Sequence, residues 1–202
     1  ALLAHSEQEF RERVDQEKPY VHAIHVDVMD GKYVSDLTWA EPECVRLMVL
    51  PLAFEVHLMV DDPMTYLASW AKVGAARVFI HIEAPCDIRE ALEEAGRLGV
   101  EVGLAINPTT DQSLLEPFFE IIDTVLVMGV TPGASGQSFN PIAIERVREL
   151  KEKMPRLTVE VDGGVNNVTA FELRAAGADR LISASYLFSH PNMEEAIATI
   201  AG

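Results

Sequence analysis

The chain has almost nothing with which to brace itself covalently: only two cysteines, Cys44 and Cys86, occur among its 202 residues. Two such residues form neither a disulfide framework nor a CxxC metal pair, so free thiols in a reducing, cytoplasmic setting are expected. Positive charge is scarce as well, with 16 Lys and Arg against 32 Asp and Glu, a formal net charge of −16. Polyanion affinity comes largely from Lys and Arg neutralising phosphates, so neither nucleic acid nor an anionic membrane is expected as a partner. An anionic ligand would have to be held by a local device such as backbone N–H groups. No apolar stretch approaches the roughly 18 to 20 residues that a membrane-spanning helix needs. The N-terminus lacks the basic-then-apolar order of a signal peptide, and the chain opens on Ala1 rather than methionine, so residues are expected to be missing there. Low-complexity runs, linkers and shifts in charge are absent too, and one folded domain over residues 1–202 is expected.

What the sequence does have is an apolar fraction of 49% arranged in two alternating periods. Short β-branched runs precede longer segments of helical spacing: "HAIHVDV" then "PECVRLMVL", "FEVHLMV" then "MTYLASWAKVG", "RVFIHIEA" then "IREALEEAGRLG", "VEVGLAI" then "SLLEPFFEII". The pattern continues with "TVLVMGV" then "PIAIERVRELKEKM", "LTVEVDGGV" then "VTAFELRAAG", and "RLISASYLF" then "NMEEAIATIA". Repeating βα units favour parallel strands covered by helices. These are seven units, and "ALLA" followed by "SEQEFRERVDQ" makes a truncated eighth, so the reading is an α/β chain folded as a compact (β/α)8 TIM barrel whose first strand is cut short. An open doubly wound sheet is the alternative that periodicity leaves standing. Gly74, Gly99 and Gly177 fall where left-handed helix ends are expected, and Pro63 and Pro141 where helices start.

In such a barrel the side chains at the C-terminal ends of the strands share one mouth. The polar residues there are His25, Asp27 and Asp30, His57, His81 and Glu83, Asn107, and Asp162. Burying carboxylates without partners costs several kcal/mol each, which makes a neutralising ion the economical explanation. His25 and Asp27 stand two apart on one strand and so share a face. With His57 and Asp162 they make two imidazoles and two carboxylates, a set suited to one divalent first-row ion, zinc, iron, manganese or cobalt, rather than calcium or magnesium. Asp30, in "MDG", also reads as a turn former with Gly31. His5, His22 and His190 read as structural.

Met29, Met59 and Met128 lie beside the acidic residues, either as soft core filler or as an apolar wall around a reacting carbon. Two glycine clusters, "TPGASGQSF" with Gly133, Ser135 and Gly136, and "DGGV" with Gly163 and Gly164, follow late strands, and "SAS" with Ala184 and Ser185 ends the last. In barrels, late loops of this kind hold phosphate on backbone N–H groups.

The segments "HVDVMDGKYV", "VHLMVDDP", "FIHIEA", "LAINPTT", "VLVMGVTPGASGQSF" and "VEVDGGV" together resemble the ribulose-phosphate 3-epimerase family, in the same order, from about Ile24 to Phe188. That resemblance implies a (β/α)8 barrel, one divalent metal and interconversion of ribulose 5-phosphate with xylulose 5-phosphate. It assigns His25, Asp27, His57 and Asp162 as metal ligands, Asp27 and Asp162 also as the acid/base pair, and Met29, Met59 and Met128 as neighbours of an enediolate. Inversion of a carbon beside a ketone requires one acid on each face, which two carboxylates supply. Related proteins form dimers or higher oligomers, so a homo-oligomer is expected.

The chain departs from the family in its first strand, where "ALLA" offers no hydroxyl in place of the usual serine. Ser35-Asp36 stands for the usual Pro-Asn, Gly133-Ala134-Ser135-Gly136 for Gly-Phe-Gly-Gly, and Ala184-Ser185 for Gly-Ser. These changes fall in the sugar and phosphate half of the site, and leave room for a longer ketose phosphate such as a hexulose 6-phosphate, or for a non-catalytic relative that binds a metal or sugar phosphate.

Overall fold

The structure is a computed structural model that describes residues 1–133 and 136–202. Its strands, in chain order, are β1 Ala23–Met29, β2 Ala53–Met59, β3 Arg77–His81, β4 Glu101–Ile106, β5 Thr124–Met128, β6 Thr158–Asp162 and β7 Arg180–Ile182. Strands adjacent in sequence are hydrogen-bonded neighbours, β1 through β7 without a crossover. The registered pairs, β1 with β2, β2 with β3, β4 with β5, β5 with β6 and β6 with β7, are parallel. A doubly wound sheet reverses its order at a switch point; this one does not. The fold class is the (β/α)8 barrel with its first strand truncated. That strand survives as one parallel bridge between Leu2 and Val26. The Leu2 N–H donates to the His25 carbonyl at 2.7 Å, and the Asp27 N–H donates to the Leu2 carbonyl at 3.1 Å.

Two compact units divide inside β4, Ala1–Val102 and Gly103–Gly202. The first carries β1 to β3 and the helices α1 Glu7–Glu17, α2 Pro42–Val49, α3 Met64–Lys72 and α4 Ile88–Leu98. Ser6 caps α1 by accepting from the Glu9 N–H, and Asp87 caps α4 by accepting from the Glu90 N–H, each satisfying a donor that the first helical turn leaves over. Trp70 of α3 packs edge-on against Phe54 of β2 with ring centroids 6.3 Å apart. Both rings are buried, a contribution of about 1.5–3 kcal/mol for a side chain of Phe size. The second unit carries β5 to β7 with α5 Ile142–Lys153, α6 Thr169–Ala176, α7 Ser185–Ser189 and α8 Met193–Ala201. β3 and β5 are buried along their whole length, as parallel strands covered on both faces must be.

Two segments differ from the sequence expectation. "SLLEPFFEII" has helical apolar spacing but forms a 3-10 helix over Gln112–Phe118. Pro117 lies inside it, and a proline has no N–H for the α ladder and crowds the preceding turn. The expected strand "RLISASYLF" stops at Ile182, and α7 takes over from Ser185. The buried Ser183 hydroxyl donates to the Val165 carbonyl at 2.9 Å, which anchors the chain where its direction changes.

Candidate metal centre

β1 and β2 pair one-to-one, so that His25 lies opposite Glu55, Asp27 opposite His57, and Met29 opposite Met59. Because side chains alternate along a strand, His25, Asp27 and Met29 share one face of β1, and Glu55, His57 and Met59 share one face of β2. His25, Asp27 and His57 are all buried. The His57 Nδ1 stands 3.1 Å from the Asp27 Oδ1, and the His25 Nε2 stands 3.6 Å from that same oxygen.

The second nitrogen of each ring meets a partner of its own. His25 Nδ1 lies 2.8 Å from Glu55 Oε1. Glu55 in turn accepts from Arg77 at 3.3 Å, and Arg77 also donates to Glu101 at 2.8 Å. His57 Nε2 lies 2.8 Å from His81 Nε2, with the two rings stacked at 4.9 Å. His81 Nδ1 lies 3.2 Å from Glu83 Oε2, and the Tyr33 ring sits 5.2 Å from that of His81. Burial pushes His81 down to about 4, and the adjacent His57 adds to this against the opposing pull of Glu83. At neutral pH His81 is therefore uncharged, with one donor and one acceptor nitrogen. For Asp27, burial alone would raise the pKa, but His57 and His25 beside it outweigh burial and hold the carboxyl below its ordinary value.

Asp162 ends β6 opposite Met128 of β5. Its carbonyl accepts from the Gly129 N–H at 2.7 Å. A methyl group added to Gly129 would lie 2.2 Å from the Gly163 carbonyl oxygen and 2.8 Å from the Phe139 ring, so the turn after β5 and the turn after β6 fit together only because residue 129 has no side chain. One donor atom from each of His25, Asp27, His57 and Asp162 lies within 4.8 Å of the other three. Two imidazole nitrogens and two carboxylate oxygens bind a first-row ion at about 2.0–2.2 Å, so the ligands of a tetrahedral site stand about 3.4 Å apart. The donor set fits one divalent ion once its widest pair, within 4.8 Å, closes by about 1 Å, a side-chain adjustment.

Met29 and Met59 are buried with Leu3, and Tyr33 and Val34 pack on them. Gly133, Gly136, Gly163 and Gly164 have positive φ; Ser135 lies outside the described residues. Ala184 precedes α7 and Ser185 is its first residue. Asp30 accepts from the Lys32, Tyr33 and Asp61 N–H groups, the last at 2.8 Å, so it shapes its turn and ties the end of β1 to the end of β2. The Asn107 carbonyl accepts from the buried Arg146 guanidinium. His5 pairs with Asp36, and His190 lies 2.7 Å from the Asn192 carbonyl. Sequence reasoning missed Glu55, Arg77 and Gly129. The available signal for Glu55 was its spacing, two residues before His57 and therefore on the same face.

Over residues 1–188 the chain matches the model of the "Ribulose-phosphate 3 epimerase family". It is 34% identical over 196 residues to a ribulose-phosphate 3-epimerase of Chlamydia muridarum, covering 92% of this chain and 86% of that one. To the ribulose-phosphate 3-epimerase of Bacillus subtilis it is 36% identical over 195 residues, covering 93% and 89%. In fold it is similar to the 3-hexulose-6-phosphate synthase from Salmonella typhimurium, with a TM-score of 0.76 at 14% identity and coverage of 99% and 94%. The match runs through every strand that carries a buried donor, and at these identities and lengths the chain belongs to the ribulose-phosphate 3-epimerase family.

Proposed function

We propose that the chain is a metal-dependent isomerase that inverts C3 of a ketopentose 5-phosphate, interconverting D-ribulose 5-phosphate and D-xylulose 5-phosphate. The observation that carries this reading is the convergence of four donor atoms from His25, Asp27, His57 and Asp162 within 4.8 Å, in a chain whose relatives bear that activity's name. A divalent ion held by those four residues would supply electrostatic stabilisation of the negative charge that grows on the ketone oxygen as C3 loses its proton.

The chain's own residues do the rest. Of the carboxylates of Asp27 and Asp162, one removes the C3 proton and the other returns a proton to the opposite face. The resulting enediolate is planar at that carbon, so delivery from the far side inverts it. Asp27 is suited to act as a base because the rings beside it keep it ionised despite burial. Met29 and Met59, buried against Leu3, and Met128 beside Asp162 supply apolar surface that keeps water from the reacting carbon. Backbone N–H groups of the turns at Gly133 and Gly136, at Gly163 and Gly164, and at Ala184 and Ser185 hold the phosphate, which suits a protein of net charge −16.

The relatives' names do not favour a hexulose 6-phosphate as the substrate. We take the ion to be zinc, iron, manganese or cobalt, and residues 1–202 to act as one catalytic domain, since one family model spans residues 1–188. We place the protein in the cytoplasm as a homo-oligomer. Free thiols at Cys44 and Cys86 suit a reducing compartment. Exposed Leu47 and Phe171 offer apolar contact surface. Among the described residues, no helix is long and apolar enough to cross a membrane.

The test is exchange of the C3 proton of ribulose 5-phosphate with deuterated water, with metal analysis of the same sample. Metal-loaded protein should exchange it and the Asp162→Asn variant should not. Metal-loaded wild type without exchange defeats the assignment.

A further inference from the structure

We propose that Glu55 and the His81–Glu83 pair are positioning residues for the metal centre, each fixing which nitrogen of a histidine faces the ion. The proposal rests on the metal-dependent reading above and extends it to residues outside the donor set.

The hydrogen-bond inventory runs in one direction. An ionised carboxylate can only accept, so Glu55 requires a proton on His25 Nδ1, 2.8 Å away. That leaves His25 Nε2 as the lone-pair nitrogen, the atom 3.6 Å from Asp27 Oδ1. Glu83 likewise requires a proton on His81 Nδ1, 3.2 Å away. The 2.8 Å contact between His57 Nε2 and His81 Nε2 has room for one proton; a His57 that turns the lone pair of Nδ1 to the ion carries that proton on its own Nε2, and His81 accepts it. With the ion bound, His57 Nδ1, which otherwise pairs with Asp27 Oδ1 at 3.1 Å, gives up its proton and is the atom that would hold the ion.

Both outer partners are fixed from behind. Glu55 is held by Arg77, which stands opposite it in the β2–β3 register and is itself tied to Glu101. His81 is almost wholly buried, stacked on His57 and met by the tilted Tyr33 ring 5.2 Å away. Outer hydrogen bonds of this kind orient ligand rings and raise their basicity, and losing one costs about 10–100-fold in metal affinity.

The experiment uses the full chain loaded with zinc. Long-range proton–nitrogen spectra of the histidine rings should show His25 protonated at Nδ1 and His57 at Nε2. His81→Phe keeps a ring in the stack but removes the acceptor, and should weaken zinc binding about 10–100-fold in chelator competition. His81→Gln, whose amide oxygen can accept from His57, should recover most of that loss. Glu55→Met combined with Arg77→Met removes the acceptor of His25 together with its cationic neighbour, and should show a comparable loss. Circular dichroism checks folding; Glu83→Gln, on a more exposed side chain, carries the test if His81→Phe does not fold, with a smaller loss expected. Wild-type zinc affinity in the folded variants, or His57 protonated at Nδ1 in the zinc-loaded wild type, overturns the proposal. Wild type that takes up no zinc, or Asp27→Asn that binds it as tightly, instead overturns the metal reading itself and this proposal with it.

Discussion

Gly129→Ala should be a strongly damaging single-methyl change. The new Cβ would stand 2.2 Å from the Gly163 carbonyl oxygen and 2.8 and 2.9 Å from two carbons of the Phe139 ring. The carbonyl contact is about 1 Å short of ordinary non-bonded separation. Overpacking costs typically about 1–3 kcal/mol, and the upper end applies because the obstacle is backbone rather than the tip of a flexible side chain. For a chain of this length each kcal/mol moves the melting temperature by roughly 2–4 °C, so a drop of roughly 6–12 °C is expected in a calorimetric scan. The Gly129 N–H also holds the Asp162 carbonyl at 2.7 Å, so relief of the clash displaces the end of β6. A shift of about 1 Å at a reacting group costs on the order of 10²-fold in rate, which the C3 exchange assay would read. A Gly129→Ala protein melting within about 2 °C of wild type at full exchange rate would refute the close approach and the positioning drawn from it.

Other changes probe different parts of the fold. Gly96, exposed in α4 with nothing within 4 Å of a built Cβ, should tolerate alanine and gain about 0.5–1 kcal/mol in urea unfolding; a loss would mean the helix is strained there. Arg180, half-exposed, donates to the fully buried Glu160 at 2.6 Å, so Arg180→Ala should cost about 1–2 kcal/mol and an added Glu160→Gln should recover part of it; no recovery would show that the charge of Glu160 is not the cause. For Asp30, burial raises the pKa but the Asp61, Lys32 and Tyr33 N–H donors outweigh it and hold the carboxyl below its ordinary value. A depressed folded pKa means stability present above the unfolded value, near pH 4, and lost as pH falls through the folded one. The stability advantage of wild type over Asp30→Ala should therefore be full at pH 6 and shrink below about pH 4, and an advantage independent of pH would disprove the assignment.

The strands were legible because their apolar runs are bounded by glycines, prolines and helical spacing, and the donors because each stands where such a run stops. The 3-10 helix was not, since "SLLEPFFEII" carries the apolar spacing of an α-helix and the consequence of Pro117 had to compete with it. Nor was the early end of β7, which depends on where the Ser183 hydroxyl finds its acceptor, a contact 18 residues away in sequence. Glu55 and Arg77 sit inside ordinary strand text, and only the registers of β1 with β2 and β2 with β3 reveal that one faces His25 and the other faces Glu55. His81 and Glu83 were visible as polar residues at a strand end, while their contact with His57 required coordinates. The N-terminal "ALLA" was read as a shortened strand, and it forms a single bridge, Leu2 to Val26.

The unbroken one-to-one ladder between Ala23–Met29 and Ala53–Met59 tells an engineer where this protein tolerates editing. Extra residues spliced into the connection between these two strands leave every rung matched, whereas one residue inserted between His25 and Asp27 would turn every later side chain of β1 to the opposite side. Lengthening that connection beyond Tyr33 and Val34, which pack on Met29 and Met59, is thus a conservative operation, and shifting the reading of either strand by a single position is not.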